Sequence, residues 1–400
     1  MTNEFPKPGR TALAHSDALH DYIFDMIRTA GGRIGFARFV EMALYAPGLG
    51  YYSGGSTKFG PDGDFVTAPD ISELFGSTLA RGVAGTLKRL GEEAVIMEFG
   101  AGSGALAASM LEQLAADDAL PREYWIMEVS ADLKARQREA IGQLDDHLGA
   151  RVRWLDTLPQ IPFRGVIVAN EVLDALPFER FRIASDGTAL SAWVSIDGNG
   201  FALDFDKPPP ELAAELAAIS AQCEAAGSPL PVGYTSEFCP GVRAFVFTLA
   251  HCLAQGQIVL ADYGGTRREI YFPQRSEGTL RCHYRHHAHD DPFFLPGLQD
   301  ITAWVDFTAV ADAAVDAGLA LDGYTTQANY LIDCGLEHVL QRWCEARPQR
   351  VPMLHSEAKT LTLPGEMGER FKFIGLSRDL GGPVPGFGMR DLAATLAMPA

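Results

Sequence analysis

An apolar run at residues 94–99 breaks into the glycine-rich turn GAGSG at 100–104, and that turn runs directly into the helical spacing of Leu106, Met110 and Leu114. A buried strand that stops at glycines and restarts as a helix leaves few folds open. Glycine accepts the positive φ such a turn needs and lets backbone approach a ligand. The helix behind it presents free N–H groups. The alternation continues, with strands expected at 124–129, 151–155 and 165–169 (GVIVA), a helix at 131–144, and a later buried strand at 256–263 (GQIVLADY). Strands alternating with helices build a parallel sheet covered on both faces, so the chain is expected to be α/β. In such a sheet ligands bind at the carboxyl ends of the strands.

Gly100, Gly102 and Gly104 are therefore the first candidate cofactor contacts. With Ala105 they also satisfy a relaxed dinucleotide fingerprint, so the turn alone does not choose the cofactor. Glu128, at the end of the next strand, stands where a carboxylate accepts hydrogen bonds from both ribose hydroxyls. Nicotinamide and methyl-donor sites share that device. Asp156, after the third strand, is a candidate acceptor for an adenine amine. The discriminating element is NEVLDALP at 170–177, directly after GVIVA. It places Asn170, Glu171 and Asp174 at a strand's carboxyl end and offers no His, Lys or Tyr for the proton transfer that hydride chemistry requires. Methyl transfer needs instead an aimed nucleophile. If that nucleophile is an arginine guanidinium, paired carboxylates are a natural clamp for its planar fork. Glu171 and Asp174 are the candidate clamp, with Asn170 beside them.

Around this core the chain divides into residues 1–91, a helical and glycine-rich region read as a lid, residues 92–377, a core with insertions near 200–240 and 264–305, and a tail at 378–400. The stretch APGLGYYSGGSTKFGPDGDFVTAPD at 46–70 is too long and glycine-rich for an inert connection. CHYRHHAHDD at 282–291 matches no zinc-ligand spacing, so no metal is expected. The formal net charge of −18 disfavours a nucleic-acid partner and favours a basic one. Six cysteines without a CxxC pair read as free thiols in a reducing compartment. With no apolar run of membrane-spanning length and no leader-like start, a cytoplasmic location is expected.

Taken together, IGFARFVEMALYAPGLGYYS, DFVTAPDISELFG, EFGAGSGALA, ANEVLDALPFERF, LADYGG, GTLRCHYRH and PGLQDITAWVDF resemble the MidA family of S-adenosylmethionine-dependent methyltransferases over nearly the whole chain. The resemblance implies a Rossmann-like, seven-stranded methyltransferase core with S-adenosyl-L-methionine as cofactor. It implies donor contacts at Gly100, Gly102, Gly104 and Glu128, and places Asp64, Thr67 and Ser72 near the donor or the substrate entrance. The family's mitochondrial members methylate arginine and serve respiratory complex I assembly, which implies a protein substrate and allows a complex I subunit as partner. A homodimer is compatible with the sequence. The rival readings are methylation of another acceptor class, a donor-binding assembly factor without turnover, and a nicotinamide oxidoreductase.

Overall fold

The computed structural model describes residues 5–54 and 67–397. Its centre is a sheet of seven long strands: β1 (Val95–Phe99), β2 (Glu123–Met127), β3 (Val152–Leu155), β4 (Phe163–Asn170), β5 (Leu253–Gly265), β6 (Ala320–Thr326) and β7 (Phe371–Arg378). Their order is β3-β2-β1-β4-β5-β7-β6, and the short strand Val305–Asp306 pairs with the end of β5. The first five run parallel. Only β7 departs from the expected parallel pattern: it lies antiparallel between β5 and β6, which leaves β6 running the same way as the first five. The seven-stranded α/β core implied by the sequence is present.

Phe99 at the end of β1 pairs with Met127 of β2 on one side and Ala169 of β4 on the other, so three carboxyl ends finish level. Strand order reverses between β1 and β4, which opens a crevice above those ends. The helices Glu73–Leu90 and Ala105–Ala116 bury their apolar faces on one side of the sheet with the late helices between residues 327 and 362. Gly241–Cys252 and Phe307–Asp316 cover the other side. Helix starts are fixed locally: Ser72 Oγ accepts from Leu74 N–H and Asp306 Oδ1 from Ala309 N–H, caps worth about 1 kcal/mol each.

A second layer stands over the carboxyl ends. The helices Arg10–Thr29 and Phe36–Tyr45 pack into one apolar cluster with Phe178, Ala192, Val194 and Ile301. An antiparallel sheet joins Arg33–Gly35 to Ala189–Asp197, Glu179–Ile183, Thr235–Phe238 and Gly200–Asp206. The stretch after residue 264, read in the sequence as an insertion, is more ordered than its polar composition implies. It holds the short helix Arg267–Ile270 and a three-stranded sheet of Arg281–Tyr284, His287–His289 and Asp300–Thr302. Its histidines sit in a hairpin whose turn puts Arg285 and His286 at positive φ, 47° and 62°. Among the described residues no group of His, Cys, Asp or Glu is placed to hold a metal ion, and no helix is long and apolar enough to cross a membrane.

Candidate active site

A cleft of about 260 Å³ opens at the ends of β1, β2 and β4. Its floor is the glycine turn, with φ of 65°, 52° and 87° at Gly100, Gly102 and Gly104. These are left-handed conformations that side chains resist. At Gly100 the space is also closed, because an added Cβ would sit 3.0 Å from Val172 Cγ2. The turn is thus shaped as a bare backbone cradle, which suits an extended polar ligand lying along it.

Glu128 forms the wall beyond the turn. Its Oε1 accepts from Ser130 N–H at 2.9 Å and its Oε2 from the Gln137 amide at 3.0 Å. Burial raises its pKa, while these hydrogen bonds and Lys134 act against the rise. Beside it Val129 exposes 80% of its surface, an apolar residue on the cleft lining where a flat ring could rest. Thr67 and Ser103 close the near side. Asp70 ties them together by accepting from Thr67 Oγ1 and from Ser103 Oγ. Ser72 is placed differently: it caps its helix and donates to Glu357 Oε2 at 2.6 Å, away from the lining. Asp64 lies outside the described residues. Asp156 does not reach the cleft. Its side chain is 88% exposed and paired with Lys134 Nζ at 2.6 Å, away from the lining.

The opposite side of the cleft is acidic and aromatic. Asn170 donates to Glu171 Oε1 at 3.1 Å. Glu171 holds φ at 54°, a strained conformation for a side chain that costs about 1–3 kcal/mol. Strand β5 keeps it there: Glu171 N–H donates to Ala261 O, and Asp262 Oδ2 accepts from both Leu173 and Asp174 N–H. Burial first, then the neighbouring Asp174, pushes Glu171 up to about 8. Burial likewise raises Asp174 and Asp262. Asn170 Oδ1 is buried without a hydrogen-bond donor among the described residues, while the Tyr263 hydroxyl stands by the Asp174 carboxyl and partly offsets the rise that burial gives it. Glu98, also on the lining, accepts from Tyr124 OH at 2.8 Å and is pushed up to about 8 by burial.

Tyr45 and Tyr52 come in from the second layer. Their rings stack with centroids 5.5 Å apart. Tyr45 OH donates to Ala175 O at 2.8 Å and Tyr52 OH to Asp300 Oδ1 at 3.2 Å. Both line the cleft. So the structure gathers Gly100, Gly102, Glu128, Thr67, Asn170, Glu171 and Asp174 on one cleft, with Gly104 closing the turn beneath it. Sequence reasoning did not single out Tyr45, Tyr52, Glu98, Gln137 or Asp262. Asp262 carried a usable signal, being polar at the carboxyl end of a buried strand as Asn170 is. Tyr52 lay in the glycine- and aromatic-rich stretch, whose length alone marked it.

A family profile described as "Putative S-adenosyl-L-methionine-dependent methyltransferase" matches residues 78–325. A crystal structure of a Burkholderia thailandensis protein bound to S-adenosyl-homocysteine is 44% identical, covers 98% of this chain and 100% of its own, and superposes with a TM-score of 0.91. A native structure from the same organism gives 43% and 0.89, with the same coverage of both chains. Among curated relatives, a mitochondrial protein arginine methyltransferase NDUFAF7 homolog of Caenorhabditis elegans is 27% identical over 91% of this chain and 87% of its own length. NDUFAF7 of Danio rerio is 28% identical over 86% and 83%.

Proposed function

The chain belongs to this S-adenosyl-L-methionine-dependent methyltransferase family, and we propose that it methylates an arginine side chain of a protein partner. The donor end of the cleft is assigned to Gly100, Gly102, Gly104, Glu128 and Thr67, with the helices Arg10–Thr29 and Phe36–Tyr45 as the covering region, while Glu73–Leu90, expected within that region, packs on the sheet as part of the core. The relative bound to S-adenosyl-homocysteine supports that half of the reading. When bound, S-adenosylmethionine supplies an electrophilic methyl on its sulfonium. Everything else asked of this chain is positioning and charge.

The observation that carries the acceptor is Asn170 Oδ1, a buried oxygen on the cleft lining with no hydrogen-bond donor among the described residues, set beside the buried carboxyls of Glu171 and Asp174. A buried acceptor left unpaired costs free energy, and a planar guanidinium offers five N–H donors in a fixed fork. Tyr45 and Tyr52 add aromatic surface, which favours a delocalised cation. Glu171, raised by burial, is poised to ionise as a cation enters, because an opposite charge lowers a carboxyl pKa. Methylation of a guanidinium releases one proton, and the Glu171 carboxylate is assigned to take it. The arginine methyltransferases among the relatives point the same way, and the MidA resemblance makes a respiratory complex I subunit the partner to try first.

The test is a methyl-transfer assay with S-adenosylmethionine and arginine-bearing basic peptides, against the same peptides carrying lysine. Methyl label on arginine alone supports the reading. Transfer to lysine, or to a small neutral acceptor, overturns the acceptor half. Donor binding without transfer to any acceptor favours an assembly factor.

A further inference from the structure

Gln137 lies on the helix Ala131–Ile141, is fully buried, and is not on the cleft lining. Its amide nevertheless joins the two main donor-site elements. Nε2 donates to Glu128 Oε2 at 3.0 Å and to Gly102 O at 3.1 Å. Oε1 accepts from the indole N–H of Trp154 at 3.0 Å. Trp154 belongs to β3, and the Arg138 guanidinium lies over its ring at 5.1 Å.

The arrangement has one orientation only. Both amide hydrogens are spent on acceptors and the oxygen faces a donor. A flipped amide would set an oxygen against a carboxylate and a carbonyl, and an NH2 against an N–H. The Trp154 indole therefore fixes which way Gln137 points. Gln137 in turn fixes the plane of the Glu128 carboxylate, whose other oxygen is held by Ser130 N–H. The same amide holds the carbonyl of Gly102, in the middle of the turn. The backbone is also close-packed here: a Cβ at Gly104 would meet Gln137 Cα at 3.1 Å.

We propose that Gln137 is a positioning residue for the donor site, oriented by Trp154, which presets the Glu128 carboxylate and the glycine turn together for an adenosine ribose. This rests on the assignment of Glu128 to the donor in the preceding subsection. It adds that affinity for the donor is set partly from β3, through two side chains that touch no ligand. The reason is preorganisation: a carboxylate already held in plane loses less freedom when two hydroxyls dock on it.

The experiment is calorimetric titration of the full chain with S-adenosyl-homocysteine, for wild type, Gln137→Met and Trp154→Phe. Gln137→Met keeps the volume and removes the amide. It is expected to weaken binding by about 10- to 100-fold, the scale of a hydrogen bond to a charged group. Trp154→Phe keeps an aromatic ring and removes only the indole donor, so about a 3- to 10-fold loss is expected. The distinguishing readout is pH. Gln137 is one of the groups that lower the Glu128 pKa. Without it the carboxylate protonates more readily, so the Gln137→Met deficit should be larger near about pH 6 than near about pH 8. A loss equal at both pH values would mark Gln137 as merely structural and overturn the inference. So would unchanged affinity in both variants while wild type binds. Failure of wild type to bind would overturn the donor assignment itself, and this inference with it.

Discussion

The two halves of the cleft are built in opposite ways. The donor half is local in the chain. Glu128 is held by residues two and nine positions away, and the glycine turn is tied to Gln137 over 35. The acceptor half is assembled from afar. Tyr45 reaches Ala175 across 130 residues, Tyr52 reaches Asp300 across 248, and Leu173 leans on Asp262 across 89. A binding site written in two successive strand–turn–helix units can be kept while the second layer changes around it. On the proposed assignment, donor binding rests on the sheet, and acceptor choice on how the second layer sits on that sheet.

The sharpest way to break this division is to neutralise the acceptor half and watch the donor half. Glu171→Gln and Asp174→Asn keep size and remove charge. Each is expected to lower kcat by about 100- to 1,000-fold, the scale of losing one preorganised electrostatic contact. S-adenosyl-homocysteine affinity should stay within about threefold. A collapse of donor binding in either variant would mean that the halves are not separate. The converse change, Glu128→Ala, removes the acceptor assigned to two ribose hydroxyls. It should weaken S-adenosyl-homocysteine by about 100-fold, read by the same titration. Tight binding retained in that variant would move the ribose elsewhere.

This difference in construction is also what made the sequence readable throughout one half and only in part in the other. The run 94–99, the glycines and Glu128 are spaced by strand and helix geometry, so periodicity and turn chemistry located them. The carboxyl end of β4 was legible for the same reason. Tyr45 and Tyr52 were not, because their roles depend on where Asp300 and Ala175 come to lie, and no local pattern encodes that. The histidine hairpin was hard to read for a related reason: 282–291 shows mostly polar residues, yet Cys282 and Tyr284 within it are buried and anchor a small sheet. Asp156 shows the opposite failure. Its position after β3 is where the sequence places an adenine contact, but its side chain points into solvent beside Lys134, one turn into a neighbouring helix, and not onto the cleft lining.

A smaller effect sharpens the comparison through stability. Glu171 stands near 4.5 when unperturbed and is pushed to about 8 in the fold. The folded ligand-free chain therefore binds a proton more tightly than the unfolded one. Its contribution to stability is present below the unfolded value and is lost as pH rises through about 8. Glu98, also near 8, acts in the same direction from the donor side. Glu171→Gln cannot ionise, so it should be more stable than wild type at about pH 9, by about 1–3 kcal/mol, and nearly equal at about pH 5. Denaturant melts at the two pH values read this directly. A variant that loses turnover yet gains stability at high pH would place the strain of this chain in its acceptor half.

The smallest expected effect separates the tyrosine rings from their hydroxyls. Tyr52→Phe keeps the ring stacked on Tyr45 and removes one hydrogen bond to Asp300. If the ring itself meets the acceptor cation, KM for an arginine peptide should rise only about two- to fivefold, with donor affinity unchanged. Tyr52→Leu removes the aromatic face as well and should raise KM by a further factor of about three to ten, the value of a cation–π contact. Equal losses in the two variants would assign the effect to the hydroxyl: Tyr52 would then matter only because it holds Asp300, and the second layer would act on the acceptor through charge rather than by stacking.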